Sequence, residues 1–310
     1  MKALVTGGAG FIGSHLVDAL LDRDDTVIVL DNFSSGKEEN LAAHKNNNRL
    51  VVVRGDLNDD LSPIFETHSF EVVFHLAAIP RVQFSIKHPA EAHRANVDGT
   101  VNILEHCRRF NVPRFVFSSS SSLYGNQPTM PLVETMTPNP MSPYALHKLV
   151  GEQYCRLYAQ LYQTETIALR YFNVFGPRMD PNGEYACLIP KFAARYLGNE
   201  QPVINGDGEQ TRDFTFVSTI VAANIAAGTT SNKEVLGSAV NVGTGTETSV
   251  NDVAAMLKKL TGSSLEPKNG PAVIEPKNTR ADTDRLLSLL KVKPTVTLEA
   301  GVQKTIDALR

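Results

Sequence analysis

Cysteine is scarce in this chain and tryptophan is absent. Cys107, Cys155 and Cys187 stand far apart and are odd in number, which fits neither a disulfide framework nor a closely spaced zinc site. Charge of one sign is also missing: 33 acidic against 30 basic side chains leave a net charge of −3. Without a basic surplus there is no electrostatic footprint for nucleic acid, so none is expected as a partner. No apolar run approaches the roughly 20 residues that cross a bilayer, and the N-terminus passes directly into an apolar strand instead of a leader segment. Internal repeats, low-complexity tracts and flexible linkers are missing too. What remains is a soluble globular chain of 310 residues, 42% hydrophobic, forming one large or two intimately joined domains in a reducing cytoplasm with no membrane contact.

What is present begins with glycine. Lys2 to Thr6 make a short apolar run, and Gly7-Gly8-Ala9-Gly10-Phe11-Ile12-Gly13 leads from it into an amphipathic helical stretch. A turn that binds a dinucleotide needs this setting, because free N–H groups and the helix dipole favour a pyrophosphate, and glycine lets the backbone approach it. Asp31 closes the second apolar run, Thr26 to Leu30, about 20 residues beyond the turn, where a carboxylate accepts from ribose hydroxyls. The pair predicts NAD in preference to NADP, although Lys37 is a nearby base that could accommodate a 2′-phosphate.

Over the first 175 residues strand-like runs alternate with helical stretches, the pattern of a parallel sheet covered on both faces. Leu50 to Arg54, Glu71 to His75, Pro113 to Ser118 and Thr166 to Tyr171 are the further strands expected. Ligands of such sheets bind beyond the carboxyl ends of the strands, where Asp56-Leu57, Leu76-Ala77-Ala78 and Ser118 to Ser122 fall. The fold class is therefore α/β, a Rossmann-like doubly wound parallel sheet over residues 1–175. Residues 176–310 form a smaller, interleaved substrate lobe from which Val240-Asn241-Val242-Gly243 returns as one more strand.

Ser142-Pro143 reads as a helix start, which puts Tyr144 and Lys148, four apart, on one face of its first two turns. A free tyrosine titrates near ~10, so a neighbouring cation and a positive nicotinamide ring are needed to make it a base at neutral pH, each unit of depression supplying about 1.4 kcal/mol. Tyr144 would take the proton of a substrate hydroxyl as hydride leaves the carbon for NAD. Ser120 would orient the same oxygen, and Lys148 would hold the nicotinamide ribose.

The chain resembles the extended short-chain dehydrogenase/reductases and, within them, the nucleotide-sugar 4-epimerases of the UDP-galactose and UDP-N-acetylglucosamine type. The matching stretches are Thr6 to Gly13, His75 to Ala78, Asn96 with Gly99-Thr100, Ser118 to Gly125, Tyr144 with Lys148, Arg170 to Asn173, and Arg212-Asp213-Phe214. The resemblance implies a cofactor site of Gly7, Gly10, Phe11, Ile12, Gly13, Asp31, Asn32, Asp56, Leu57, Leu76, Ala77, Ala78, Asn96, Ser118, Tyr144, Lys148 and Tyr171. In it Asp56 and Leu57 hold the adenine, and Ala77 and Asn96 line the groove. For a UDP-sugar it implies Ser120, Ser121, Ser122, Tyr144, Asn173, Cys187, Leu188, Phe192, Asn205, Arg212 and Thr279. Asn173 and Arg212 are expected at the diphosphate, and the forked donors of Arg212, in a glycine-rich loop, suit a phosphate on their own account.

Relatives that dehydrate or decarboxylate carry acids in the slots of Ser121 and Ser122, and serines cannot replace them. Simple oxidation to a 4-keto sugar and return of the hydride to the opposite face is therefore expected. Other UDP-sugar enzymes of the family, a uronate 4-epimerase or a decarboxylase, and a non-catalytic NAD sensor are the competing readings. Thr279 stands at a gate position where a small residue admits N-acetylated sugars. Ala272 replaces an expected arginine seven residues earlier, and Glu275 and Lys277 depart from the pattern as well. A homodimer through helices at Ala95 to Arg108 and Tyr144 to Tyr162 is also implied. His75 and Tyr124 are expected to be packing residues.

Overall fold

The computed structural model describes residues 1–182, 187–272 and 276–310, so Glu275 lies outside the described residues. In the first part the chain runs β1 (Lys2–Thr6), α1 (Phe11–Asp22), β2 (Thr26–Asp31), β3 (Leu50–Arg54), α2 (Ser62–Thr67), β4 (Val72–His75), α3 (Val82–Lys87), α4 (Pro89–His93), α5 (Gly99–Arg109), β5 (Arg114–Ser120), α6 (Pro143–Tyr162) and β6 (Glu165–Tyr171). It continues with β7 (Val174–Phe175), α7 (Leu188–Leu197), β8 (Val203–Asn205), β9 (Thr211–Arg212), β10 (Thr215–Phe216), α8 (Val217–Thr229), β11 (Ser238–Val242), β12 (Thr248–Ser249), α9 (Val250–Thr261), β13 (Lys268–Gly270), α10 (Asp284–Leu289) and α11 (Leu298–Asp307).

The predicted strands form one seven-stranded parallel sheet in the order β11-β6-β5-β4-β1-β2-β3. Its residues alternate between two cores. Val5, Val29, Phe74 and Val116 point into the core that holds α1 and α8, and Leu4, Ile28, Val73 and Phe117 into the core that holds α5 and α6. Burial on both faces explains why these strands read as unbroken apolar runs. Only the edge strand β3 departs, with Val51 and Val52 exposed.

β11 pairs with β6 in parallel, Ser238 opposite Ile167 and Val242 opposite Tyr171; the strand expected at Val240 to Gly243 runs Ser238–Val242, two residues earlier at its start and without Gly243. The stretch expected as one helix from Ala95 begins instead with a π-helical turn, Arg94–Asp98, ahead of α5. The helix α6 starts as read: Pro143 occupies its first turn, and the Ser142 side chain caps it by accepting from the Ala145 N–H. Among the described residues no helix is long and apolar enough to cross a membrane.

Candidate active site

The turn after β1 closes on itself. Gly7 adopts φ +70°, and a Cβ there would lie 2.8 Å from the Ala77 backbone; a Cβ on Gly13 would lie 2.1 Å from the Gly7 carbonyl oxygen. Side chains at either position would force β1, α1 and the end of β4 apart. The Ala9 N–H donates to Asp31 Oδ2 at 2.9 Å, and the Ala9 carbonyl accepts from the Lys37 N–H and Asn40 Nδ2. Asp31 thus clamps the turn to the end of β2, and its other oxygen accepts from the Phe33 N–H.

A cleft of about 560 Å³ runs along the carboxyl ends of the strands, within the roughly 300–1,000 Å³ of ligand sites. Every cofactor residue expected from the sequence lines it except Asn96. Asn96 is buried one layer behind: its side chain accepts from the Ile79 N–H at 2.7 Å and donates to the Ile79 carbonyl at 3.1 Å. It therefore fixes the wall formed by Ile79 and Pro80 and does not itself form the wall. Ser34, Ser35, Asn58, Ile79, Pro80 and Arg94 line the cleft and were not identified from sequence. For Ser34 and Asn58, the nearness to Asp31 and Asp56 was the available signal.

The residues fit a dinucleotide. Gly10 precedes α1 with no side-chain cap on the helix, and a Cβ built on Gly10 meets only the Gly7 carbonyl oxygen, at 3.2 Å. The uncapped N-terminus thus faces open space that a Cβ would begin to fill, the setting for a diphosphate. Asp56 accepts from the Asn58 N–H and from the Asn32 and Asn58 side chains; the backbone bond is the main cause that holds its carboxyl below the usual range.

At the other end of the cleft β5 and α6 bring the catalytic candidates together. The Ser120 side chain lies near enough to the Tyr144 phenol to act on its pKa, and it caps the turn after β5 by accepting from the Ser122 N–H. Lys148 Nζ donates to the Ser118 carbonyl at 2.6 Å and lies 5.9 Å from the centre of the Tyr144 ring. Burial pushes the Tyr144 phenol up to about 12, with the nearby Ser120 side chain pulling the other way. Burial also brings Lys148 down to about 8, against the Cys155 and Glu152 side chains. The depression of the phenol expected from the lysine is therefore not present in the protein alone: desolvation wins, and the ammonium spends a hydrogen bond on β5.

Deeper in, Ser118 Oγ and the Tyr171 hydroxyl are 2.9 Å apart. His75 lies between Thr6 and Thr100, with Nδ1 at 2.8 Å from one hydroxyl and Nε2 at 2.9 Å from the other. Burial takes its pKa down to about 3, so it is a neutral packing residue, as expected. Tyr124 is buried as well, its hydroxyl donating to Asn241 and accepting from Arg170.

Apart from Tyr144, which lines the cleft, the substrate residues expected from sequence fall into two groups outside it. Ser120 to Ser122 form the end of β5 and the turn after it, with Ser122 Oγ buried and unpartnered among the described residues. Cys187 stands at the N-terminal boundary of α7 without a side-chain cap bond. Leu188 packs against the core and Phe192 is buried within it. Asn173, exposed at φ +21°, accepts at its carbonyl from the Thr215 N–H. The second group gathers around β9: the Gln210 side chain donates to the Asn205 carbonyl, the Thr279 N–H to the Thr211 carbonyl, and Arg212 Nη1 to the Thr211 and Lys277 carbonyls. Asp213 between them is fully buried and accepts from the Thr244, Gly245 and Ala281 N–H groups.

A doubly wound parallel sheet with a glycine turn at β1 and a serine, tyrosine and lysine converging at its strand ends defines an NAD-dependent enzyme of the short-chain dehydrogenase/reductase type. The comparisons agree: the NAD dependent epimerase/dehydratase family matches residues 3–243, and the chain belongs to that family. A UDP-glucose 4-epimerase of Mycolicibacterium smegmatis is 39% identical over 100% of this chain and 99% of its own. The structure of the UDP-glucose 4-epimerase of Thermotoga maritima with UDP-glucose superposes with a TM-score of 0.95 at 38% identity, covering 100% of this chain and 99% of that one. The UDP-N-acetylglucosamine 4-epimerase of Methanobrevibacter ruminantium, solved with UDP-N-acetylmuramic acid, reaches 0.94 at 38% identity, covering 99% and 97%.

Proposed function

We propose that this enzyme interconverts the C4 epimers of a UDP-hexose, UDP-glucose with UDP-galactose and UDP-N-acetylglucosamine with UDP-N-acetylgalactosamine, through a transient 4-keto sugar. The observation that carries the reading is that Tyr144 and Lys148 line the end of the same cleft as the glycine turn, with Ser120 beside the phenol.

NAD, held by the glycine turn, Asp31 and Lys148, supplies acceptance of a hydride from the sugar and its return. The protein does the rest. Tyr144 takes the proton of the C4 hydroxyl and gives it back, Ser120 shares the hydrogen bond to that oxygen, and Lys148 adds positive charge behind the phenol. Burial holds the phenol up at about 12, so a bound oxidised cofactor would supply positive charge that favours Tyr144 as a base. Ser121 and Ser122 offer no carboxyl for a further elimination or decarboxylation, which favours epimerisation over those outcomes.

Residues 176–310 supply the sugar-nucleotide lobe, with Asn205 and Arg212 toward the nucleotide and Thr279 admitting N-acetylated sugars, and Asn173 just after β6 reaches the diphosphate end. Exposed Leu146, Leu157 and Leu161 share one side of α6, and Arg108 of α5 stacks on Tyr162; this apolar face supports a homodimer through the two helices. The distant, unpaired cysteines support residence in the cytoplasm.

Incubation of the purified protein with UDP-glucose, UDP-N-acetylglucosamine and UDP-glucuronate, followed by chromatography, tests the reading. Formation of the two galacto products is expected. Turnover of UDP-glucuronate alone shifts the assignment to a uronate enzyme, and turnover of none defeats it.

A further inference from the structure

The first turn of α6 carries the proposed base, and its N–H groups are all accounted for. Pro143 has none, the Ala145 N–H is capped by Ser142 Oγ at 3.2 Å, and the Leu146 N–H returns to the Ser142 carbonyl at 3.0 Å. The remaining donor, the N–H of Tyr144 itself, goes to Ser85 Oγ at 3.0 Å. Ser85 is fully buried in α3 and donates its own proton to the Val82 carbonyl at 2.6 Å. Both functions of the hydroxyl are used, so its orientation is fixed. Elsewhere on α3, Val82 and Ile86 are exposed.

α3 is not a free-standing helix. Its approach, Ile79-Pro80, lines the cofactor cleft, and Asn96 grips both backbone groups of Ile79. The segment from Ile79 to Ser85 is thus pinned at two points, one at the cleft wall and one at the backbone of Tyr144. We infer that Ser85 is a positioning residue: it ties the base to the wall that contacts the cofactor, so that phenol and hydride acceptor keep one geometry. The inference rests on Tyr144 being the acid–base group of the reading above.

The consequence concerns turnover more than binding. Small misplacements of a reacting group cost up to roughly 100-fold in rate. In Ser85→Ala the Tyr144 N–H loses its acceptor while the glycine turn and the β9 region are untouched. A fall in kcat of about 10- to 100-fold is expected, with KM for the UDP-sugar within about twofold and NAD retained. Ser85→Cys, slightly larger but keeping a weak sulfur acceptor, should recover part of kcat. Ser142→Ala removes the neighbouring cap from the same helix end and serves as the structural control. It should lower Tm at least as much as Ser85→Ala and leave kcat largely intact.

Hydrogen exchange reads the bond without any substrate. The Tyr144 amide should exchange faster in Ser85→Ala, with amides from the middle of α6 unchanged. Equal loss of kcat in both alanine variants, no recovery with cysteine, or unchanged exchange at Tyr144 would each overturn the proposal. If the wild-type protein turns over none of the sugars, the proposed function fails, and exchange together with NAD retention still decides whether Ser85 holds Tyr144.

Discussion

Lys148 Nζ donates to the carbonyl oxygen of Ser118 at 2.6 Å, which ties the second turn of α6 to the last residues of β5. The lysine is 5% exposed, so its charge sits out of water with one backbone oxygen as its direct partner. That placement makes the site sensitive to pH in a direction that can be worked out.

Burial lowers Lys148 from 10.5 to about 8. Between those pH values the unfolded chain binds more proton than the folded one, so the penalty for folding around the ammonium is full below pH 8 and fades toward pH 10.5. In urea unfolding of cofactor-free protein, Lys148→Met should therefore gain on the wild type at neutral pH. That advantage should shrink by about 3 kcal/mol by pH 10.5. A difference between the two proteins that stays flat from pH 7 to 10.5 contradicts the buried charge.

Replacement of Tyr144 by phenylalanine removes the oxygen proposed to exchange the proton and little else. Turnover should fall by about 10²–10⁴-fold, while the NAD released from the denatured protein stays equal to wild type. A variant with ordinary turnover would show that another group moves the proton.

Gly13→Ala is expected to abolish cofactor retention, since its Cβ would lie 2.1 Å from the Gly7 carbonyl oxygen. That oxygen is backbone and also accepts the Gly10 N–H, so the turn must open to relieve the clash. The measurement is NAD content after gel filtration, with circular dichroism to confirm that the sheet persists.

Thr279 is 8% exposed, next to the Arg212 region. If it sets the room available to the sugar, Thr279→Tyr should cut kcat/KM for UDP-N-acetylglucosamine by at least about 10-fold relative to UDP-glucose. Equal losses on both sugars would remove Thr279 from the selection of substrate.

The sequence was most readable where the physics is repetitive. Strands buried on both faces leave apolar runs, and the glycine turn and Ser142-Pro143 start announce themselves through backbone demands that few residues meet. The two-residue strands β7, β9, β10 and β12 are too short for any periodicity and exist because distant chain passes alongside them. Asp213 stood in a recognised triplet, yet its role in gathering Thr244, Gly245 and Ala281 depends on segments far away in sequence. Asn96 was assigned to the groove because both roles call for the same amide; only coordinates separate touching the ligand from holding Ile79. Ser85, one hydroxyl in a short helix, gave no signal at all.

The strand Ser238–Val242 reaches back across the molecule to lie beside Glu165–Tyr171. A fragment cut after residue 175 would lack that neighbour and leave β6 with a raw margin of backbone donors and acceptors, an invitation to stick to its own kind. The lobe proposed to hold the sugar is consequently no detachable cassette: grafting it onto another nucleotide-binding half would carry the sheet's edge strand along with it.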